Sequence, residues 1–199
     1  GNKKTFTKNN LYKISKSLKS EQNKFNIDLC GGDTTFSNKL SFTITSLGYS
    51  NKIIYRNKAK LNDDIYVTGN LGDSYLGLKA LSNKAKFKYK DKLFFVDKYY
   101  KPDLPLNLTK YLLKFANSSI DVSDGLIDDL LKMINRQTLS FHLFEKKIPV
   151  SKKLSNLIKK QKLNKINLIS KGDDYQILFT ANVNKARIIQ HASKKTGIK

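Results

Sequence analysis

Apolar side chains recur at helical spacing near the start of the chain and then change to strict alternation. Residues 8–25 place Leu11, Ile14 and later apolar positions three or four residues apart among lysines and serines, which predicts an amphipathic helix. Residues 39–48 instead alternate apolar with polar side chains, which predicts a half-buried strand. A short strand is also expected over residues 27–30, directly before two glycines.

The pattern after residue 59 predicts strands that alternate with helices. Strands are expected over 65–69, 119–123, 139–144 and 175–180, and helices over 74–81, 105–115, 125–134, 151–160 and 183–195, with a lysine-rich loop and a further helical stretch between the first two of these helices. Asp73 or Ser74 is a plausible N-cap of the first of these helices, and Ser151 of the fourth. Because the helices are long and the strands few, we predict an α+β, or mixed α/β, fold with a boundary near residues 57–62.

The helix expected after Gly125 has an apolar face and an acidic beginning. Leu126, Leu130, Leu131 and Ile134 are predicted to form its buried face. Asp128 and Asp129 follow within its first turns, where the ordinary role of a carboxylate is favourable interaction with the helix N-terminus. A metal-binding role for this pair is the less favoured alternative.

The charge of the chain changes this picture less than its size suggests. The formal net charge is +22 over 199 residues, which invites a nucleic-acid-binding interpretation. Only Arg56, Arg136 and Arg187 among the 38 basic residues are arginines, the side chain that nucleic-acid readers use for bidentate contacts. The lysines are also scattered along the chain. We therefore favour a solvated lysine-rich surface and predict no nucleic-acid partner.

The cysteine content and the hydropathy of the chain indicate in which cellular compartment the protein is expected. Cys30 is the one cysteine, so no disulfide can form within the chain, and no segment approaches the roughly 20 apolar residues of a membrane span. We predict a cytoplasmic protein without a membrane partner. Cys30 itself is expected to be a core residue rather than a reactive thiol.

Four segments place glycine and aspartate together after a predicted strand. They are Gly31-Gly32-Asp33, Gly69-Asn70-Leu71-Gly72-Asp73, Asp121-Val122-Ser123-Asp124-Gly125 and Gly172-Asp173-Asp174. Any one of them is most simply a turn, because glycine and aspartate favour turns and caps. Four in succession, in a chain with 16 acidic residues, favour carboxylates gathered around cations. Because Mg²⁺ prefers such oxygen ligands, we predict a site with several metal ions that holds a polyphosphate.

The common phosphate-binding loops are absent from the sequence. There is no G-x-x-x-x-G-K-[ST] segment and no G-x-G-x-x-G segment after a strand. If the protein uses ATP, it is therefore neither a P-loop enzyme nor a protein-kinase-like one.

At the four acidic segments the sequence resembles the thiamine-monophosphate kinase family. The superfamily of that enzyme includes aminoimidazole ribonucleotide synthetase, selenophosphate synthetase and a hydrogenase-maturation protein. The matching segments, which occur in the family's order, are Gly31-Gly32-Asp33-Thr34-Thr35, Asp64-Ile65-Tyr66-Val67-Thr68-Gly69 with Leu71-Gly72-Asp73-Ser74, Ser119-Ile120-Asp121-Val122-Ser123-Asp124-Gly125-Leu126, and Gly172-Asp173-Asp174-Tyr175. The resemblance implies transfer of the γ-phosphoryl of ATP to thiamine monophosphate, in a homodimer, with several Mg²⁺ ions. Another ATP-dependent synthetase of the superfamily is the first alternative function, and a basic nucleic-acid-binding module is the second.

The resemblance also implies roles for particular residues. Asp33, Asp121 and Asp124 look like Mg²⁺ ligands that position the phosphates, with no residue acting as acid or base. Gly32 and Asp33, with Arg56 and Ser123, are similar to the residues that bind ATP in the family. Asp173 occupies a substrate-contact position.

The resemblance further implies a domain organisation. Residues 1–58 correspond to the last part of an N-terminal ATP-binding and dimerisation domain, and residues 59–199 to a C-terminal α/β domain without its end. Both domains of this two-domain, aminoimidazole ribonucleotide synthetase-like fold are therefore expected to be incomplete. We expect the 199-residue chain alone to be inactive, because the family's first metal-binding segments have no match here. Gln176, where the family usually has glutamate, is a departure on the substrate side.

Overall fold

The computed structural model describes residue 4, residues 7–85 and residues 87–199. The chain forms two compact units, Gly1–Tyr49 and Ser50–Lys199. The first unit contains helix α1 (Lys8–Phe25), so the helix expected over residues 8–25 is confirmed. Thr7 begins it, because the Thr7 Oγ1 accepts a hydrogen bond of 3.2 Å from the Asn10 backbone N–H. The domain boundary after residue 58 stays a prediction.

The strands expected over 27–30 and 39–48 are wrong. No helix or strand occurs between residues 27 and 58, all of which the structure describes. The alternating side chains there are exposed, with 64% of Phe42 and 78% of Ile44 accessible to solvent. Cys30 is exposed as well, so the prediction of a core cysteine is also wrong. An alternating pattern marks the face that a strand would bury, whereas the strand itself forms only with a hydrogen-bonded neighbour.

The second unit is built on a three-stranded antiparallel sheet of order β1-β3-β2. Its elements, in chain order, are β1 (Asp63–Val67), α2 (Asp73–Leu81), α3 (Tyr89–Tyr100), α4 (Leu106–Leu112), β2 (Ala116–Asp121), α5 (Leu126–Met133), α6 (Lys152–Gln161), α7 (Lys165–Ile169), β3 (Ile177–Asn182) and α8 (Ala186–Thr196). The strand and helix types expected from residue 63 onward are mostly confirmed, with ends displaced by about two residues. Helix α7 was not predicted. Among the described residues, no helix combines the length and apolar character that a membrane span requires.

Both faces of the sheet are covered, and the central strand β3 shows this most clearly. Consecutive strand residues point to opposite faces. Leu178 packs in a cluster with Leu126 and Leu130 of α5 on one face. Phe179 packs with residues of α4 and α8 on the other face, where its ring stacks on that of Tyr66 with 5.2 Å between centroids. Burial on both faces makes β3 the best-anchored strand of the unit.

Two segments differ from the predictions for identifiable reasons. Residues 139–144 alternate in burial as expected, with Phe141 and Leu143 against the core, but they form no strand. Sheet pairing requires a neighbour, and the described ladders involve only β1, β2 and β3.

The apolar face predicted for α5 is wrong at one position. Leu131 is 51% exposed and Met133 is buried instead, because the buried face of this helix follows positions 126, 130 and 133.

Ser151 is the N-cap of α6, as predicted. Its Oγ accepts a 3.1 Å hydrogen bond from the Leu154 N–H and donates one of 2.7 Å to Asp73. We expect Ser151→Ala to lower the free energy of unfolding by about 1–2 kcal/mol, because both the cap and a partner of a buried carboxylate are lost. Urea unfolding would measure this. Ser155→Ala within the same helix is the control, and an equal loss there would contradict the cap assignment.

Candidate functional site

Three of the four glycine-aspartate segments meet at one end of the sheet. Strands β1 and β2 both run antiparallel to β3, so the ends of β1 and β2 lie beside the start of β3. The first loop (residues 68–72) follows β1, the second loop (residues 121–125) follows β2, and the third loop (residues 172–176) precedes β3. Because β3 is central, the third loop lies between the other two.

The second and third loops are joined through their backbones. The Asp173 N–H donates to the Ser123 carbonyl oxygen at 3.0 Å, and the Tyr175 N–H donates to that of Val122 at 2.9 Å. Gly172 is in the left-handed region, with φ of 73°, and a Cβ at this position would lie 2.1 Å from the Ser123 oxygen. Only glycine therefore allows the two loops to approach this closely.

The first and third loops are joined by side chains instead. The buried Asp174 carboxylate accepts hydrogen bonds from the Gly72 N–H at 2.7 Å and the Ser74 N–H at 3.4 Å. These are unpaired donors at the start of α2, so Asp174 caps this helix from a distant part of the chain. The predicted N-cap, Asp73 or Ser74, is wrong: Gly72 holds that position and makes no side-chain cap.

Gln176 also has a structural role at this junction. Its Oε1 accepts a 2.8 Å hydrogen bond from the Thr68 hydroxyl, and its Nε2 donates to the Asp103 carbonyl oxygen at 2.8 Å. The side chain is buried, so it holds the first and third loops together from within. Where the family usually has glutamate, this chain thus has a neutral side chain, and its hydrogen bonds are made inside the protein.

Asp73 and Asp174 are buried acids beside a cavity of about 460 Å³. Burial raises the pKa of Asp174 to about 7; the Gly72 and Ser74 backbone donors act in the opposite direction, while the Asp73 charge adds to the increase. Burial likewise raises the pKa of Asp73 to about 6. The hydrogen bond from Ser151 and the positive charge of Lys98 act in the opposite direction and lower this pKa. Both carboxyls therefore keep a proton at a pH where an ordinary aspartate has lost it.

Tyr175 lies where the charges of the second and third loops meet. Its backbone φ is 50°, a conformation that non-glycine residues adopt infrequently. Partial burial raises the pKa of its phenol, and the nearby carboxylates of Asp173 and Asp121 raise it further. The charges of the predicted substrate residue Asp173 and the predicted metal ligand Asp121 thus both act on this phenol.

Asp121, Ser123 and Asp124 lie together on the second loop, as neighbours in sequence require. Asp121 is exposed, and the Asp124 side chain is 63% exposed. Lys132, in the last turn of α5, forms an ion pair with Asp124. It forms a second ion pair, of 2.7 Å, with Asp129. Both carboxylates raise the pKa of Lys132 through these hydrogen bonds.

The donors on this loop fit Mg²⁺ only as part of a larger site. Among the described residues, no group of three or more histidine, cysteine, aspartate or glutamate side chains could hold a metal ion by itself. The second loop does offer two carboxylates and a hydroxyl, which are hard oxygen donors. Mg²⁺ in nucleotide sites commonly takes one or two protein carboxylates, and water and substrate phosphates complete its coordination. The loop matches that kind of shared site rather than a closed cage.

The remaining predicted site residues lie elsewhere in the chain. Gly32 and Asp33 belong to the unit Gly1–Tyr49, where the exposed Asp33 carboxylate accepts a 2.7 Å hydrogen bond from the Thr34 N–H. Arg56 is exposed in a turn of the second unit. Their assignments to ATP and Mg²⁺ stay predictions.

The expected interaction of Asp129 with the start of α5 is confirmed, but sequence analysis missed the burial of Asp129 and Asp174, although a signal for each exists. Asp129 occurs on the apolar face of α5 with Leu126, Leu130 and Met133, at spacings of three and four residues. Asp174 is two residues before Gln176 and four before Leu178, in the segment that continues into β3, and all three side chains are buried. An acidic residue on an apolar face predicts a buried carboxylate with hydrogen-bond partners.

The chain is similar to known proteins over most of its length, although no family model matches it. It is 36% identical to the thiamine-monophosphate kinase of Haemophilus influenzae over 169 residues, which cover 84% of this chain and 51% of that protein. The chain thus spans about half the length of the curated relatives it matches.

Solved structures agree with the sequence relatives. The thiamine-monophosphate kinase of Stenotrophomonas maltophilia K279a superposes with a TM-score of 0.65 at 26% identity, covering 73% of this chain and 48% of that one. AaThiL complexed with AMPPCP and TMP superposes with a TM-score of 0.60 at 32% identity, covering 67% of this chain and 43% of that one. The hydrogenase-maturation protein HypE shares the fold at 12% identity and a TM-score of 0.51. The predicted α+β, aminoimidazole ribonucleotide synthetase-like fold is therefore confirmed.

Proposed function

This chain is part of a thiamine-monophosphate kinase-like protein, and from that premise we propose that the whole protein transfers the γ-phosphoryl of ATP to thiamine monophosphate. The product is thiamine diphosphate, and the transfer is direct and in line. Mg²⁺ binds at Asp121 and Asp124, the nucleotide contacts Ser123, and Asp173 contacts the acceptor substrate. The homodimer and the cytoplasmic location stay predictions from the resemblance.

The observation that carries this proposal is the meeting of three of the glycine-aspartate segments at one end of the sheet. The second loop offers exposed carboxylates, and the third loop holds Asp173 against it through the bond to the Ser123 carbonyl oxygen. The residues proposed for metal and for substrate are thus on adjacent loops although about fifty residues separate them in the chain. A relative with 32% identity binds AMPPCP and TMP together, which supports the same pair of ligand sites here.

The chemistry needs positioning more than it needs an acid or a base. The acceptor is a phosphate monoester whose second pKa is about 6, so it is largely ionised near neutral pH and already nucleophilic. When bound, Mg²⁺ supplies neutralisation of the phosphate charges. The chain's own contribution is to hold Asp121, Asp124 and Ser123 on a rigid loop and Asp173 beside it. No side chain forms a covalent bond to the phosphoryl group.

Metal-dependent nucleotide binding tests the assignment of the second loop. We expect Asp121→Asn and Asp124→Asn each to weaken ATP binding in Mg²⁺ by about tenfold or more, since each removes a charged metal ligand. Without Mg²⁺ the variants should bind ATP no more weakly than the wild type. Calorimetric titration with and without the metal measures both quantities. Asp128→Asn, an exposed acid on the next helix, is the matched control.

The acceptor is tested by ATP consumption in the whole protein. Turnover should require thiamine monophosphate and should leave no phosphorylated enzyme after a quench. ATP hydrolysis driven instead by an amide or formyl substrate would favour a synthetase of the same superfamily. A trapped phosphoenzyme on the reaction path would contradict direct transfer.

A further inference from the structure

The carboxylate of Asp129 has an arrangement that the proposed reaction does not itself explain. Asp129 is fully buried, and its Oδ2 accepts hydrogen bonds from three consecutive backbone N–H groups. The distances are 3.0 Å from Ser123, 3.1 Å from Asp124 and 3.1 Å from Gly125. Its Oδ1 accepts a bond of 2.7 Å from Lys132. Three consecutive N–H donors of the second loop are thus directed at one side chain.

Three successive N–H groups that converge at the start of a helix are ordinarily a site for anions, including phosphate. Here that concavity is filled by the protein's own carboxylate. The N–H groups of the second loop are therefore satisfied from the inside. What the loop presents on its outer side is the exposed carboxylates of Asp121 and Asp124 and the half-buried Ser123. An oxygen-rich surface of this kind attracts a cation rather than a phosphate group.

We propose that Asp129 is the positioning residue that fixes the second loop with its N–H groups turned inward and its metal-binding oxygens turned outward. This inference rests on the proposed function for the identity of the ion, and goes beyond it by assigning a role to a buried residue that meets neither substrate nor metal. Any phosphate contact of this loop must then come from the Ser123 hydroxyl or through the metal, and not from its backbone.

Three variants of the 199-residue chain separate this role from a general loss of stability. Asp129→Ala removes the acceptor, and Asp129→Asn keeps an acceptor oxygen without the charge. Asp128→Asn removes an equal charge from the exposed side of the same helix turn. Amide hydrogen exchange at Ser123, Asp124 and Gly125 reports on the loop, and exchange at Leu178 and Phe179 in the central strand reports on global unfolding.

We expect loop exchange to accelerate at least about tenfold in Asp129→Ala, with Asp129→Asn intermediate, after correction for any change at Leu178 and Phe179. In parallel, Mn²⁺ serves as a paramagnetic probe that accepts the same oxygen ligands as Mg²⁺. Its affinity should fall by about 10- to 100-fold in Asp129→Ala and change less than about twofold in Asp128→Asn, as expected for a residue that orients metal ligands.

The two measurements fail in distinguishable ways. Loop exchange in Asp129→Ala that follows global unfolding alone, or equals that of Asp128→Asn, would overturn the positioning role. A wild-type chain whose second loop shows no broadening by Mn²⁺ in the presence of ATP would overturn the metal site in the proposed function. Accelerated loop exchange with unchanged Mn²⁺ affinity would show that the loop binds metal without this support, and would also overturn the proposal.

Discussion

Replacing Gly172 with alanine is expected to lower the free energy of unfolding by about 3 kcal/mol and to abolish Mg²⁺-dependent ATP binding. Two effects add. Alanine in the left-handed region, where Gly172 has φ of 73°, is strained. The new methyl group would also lie 2.1 Å from the Ser123 oxygen and 2.8 Å from the Asp124 carbonyl carbon, and both are backbone atoms that cannot rotate away. The second and third loops must therefore separate.

Gly197 provides a matched control for the strain alone. Its φ is 70°, almost that of Gly172, but a Cβ there would have no atom of the described residues within 4 Å apart from those of its two chain neighbours. We expect Gly197→Ala to cost about 1 kcal/mol and to leave ATP binding unchanged. Urea unfolding and calorimetric titration measure the two effects. Equal stability losses in the two variants would show that the contact between the loops contributes nothing beyond backbone strain.

Raising the pH from about 5 to about 8 is expected to lower the free energy of unfolding by on the order of 3 kcal/mol through Asp73 and Asp174. The ordinary aspartate pKa is 3.8, whereas the folded values are about 6 and about 7. Between these limits the folded state holds protons that the unfolded state has released. Stability from these two groups is therefore complete below pH 3.8 and is lost as the pH rises through 6 and 7.

Asp174→Asn isolates the larger part of this effect. Asparagine does not titrate, and its side-chain oxygen can still accept a hydrogen bond from the Gly72 N–H. All other titrating groups remain, so the difference between the two pH profiles belongs to Asp174 and its coupling to Asp73. We expect the variant's stability to fall by less than half as much over the same range in urea unfolding. Parallel profiles would show that Asp174 does not carry a raised pKa.

Local pattern was sufficient for much of the second unit. The period of apolar positions predicted α5 in this unit, as it did α1 in the first, and the strand expected over residues 175–180 lies close to the central strand β3. The glycine-aspartate segments were also recognisable from sequence, because four of them occur in succession although any one alone is most simply a turn. These features depend on neighbours within a few residues, which is the range over which a sequence pattern is informative.

Pairing and packing decided what local pattern could not. Residues 39–48 and 139–144 carry the alternation of strands but have no partner strand, so they remain outside the sheet. Alternation indicates which side chains a strand would bury, whereas the ladder depends on a second segment, which for β1 lies more than a hundred residues away.

The sequence by itself determined where the acidic, glycine-rich segments of this protein occur, since those residues are read directly. Only the tertiary structure decided which of them meet. The order β1-β3-β2 places the third loop between the first and second, so Asp173 joins Ser123 on one side while Asp174 caps α2 on the other. The same packing turned Asp129 inward and left Asp128 exposed, because a helix face is defined by what it is packed against.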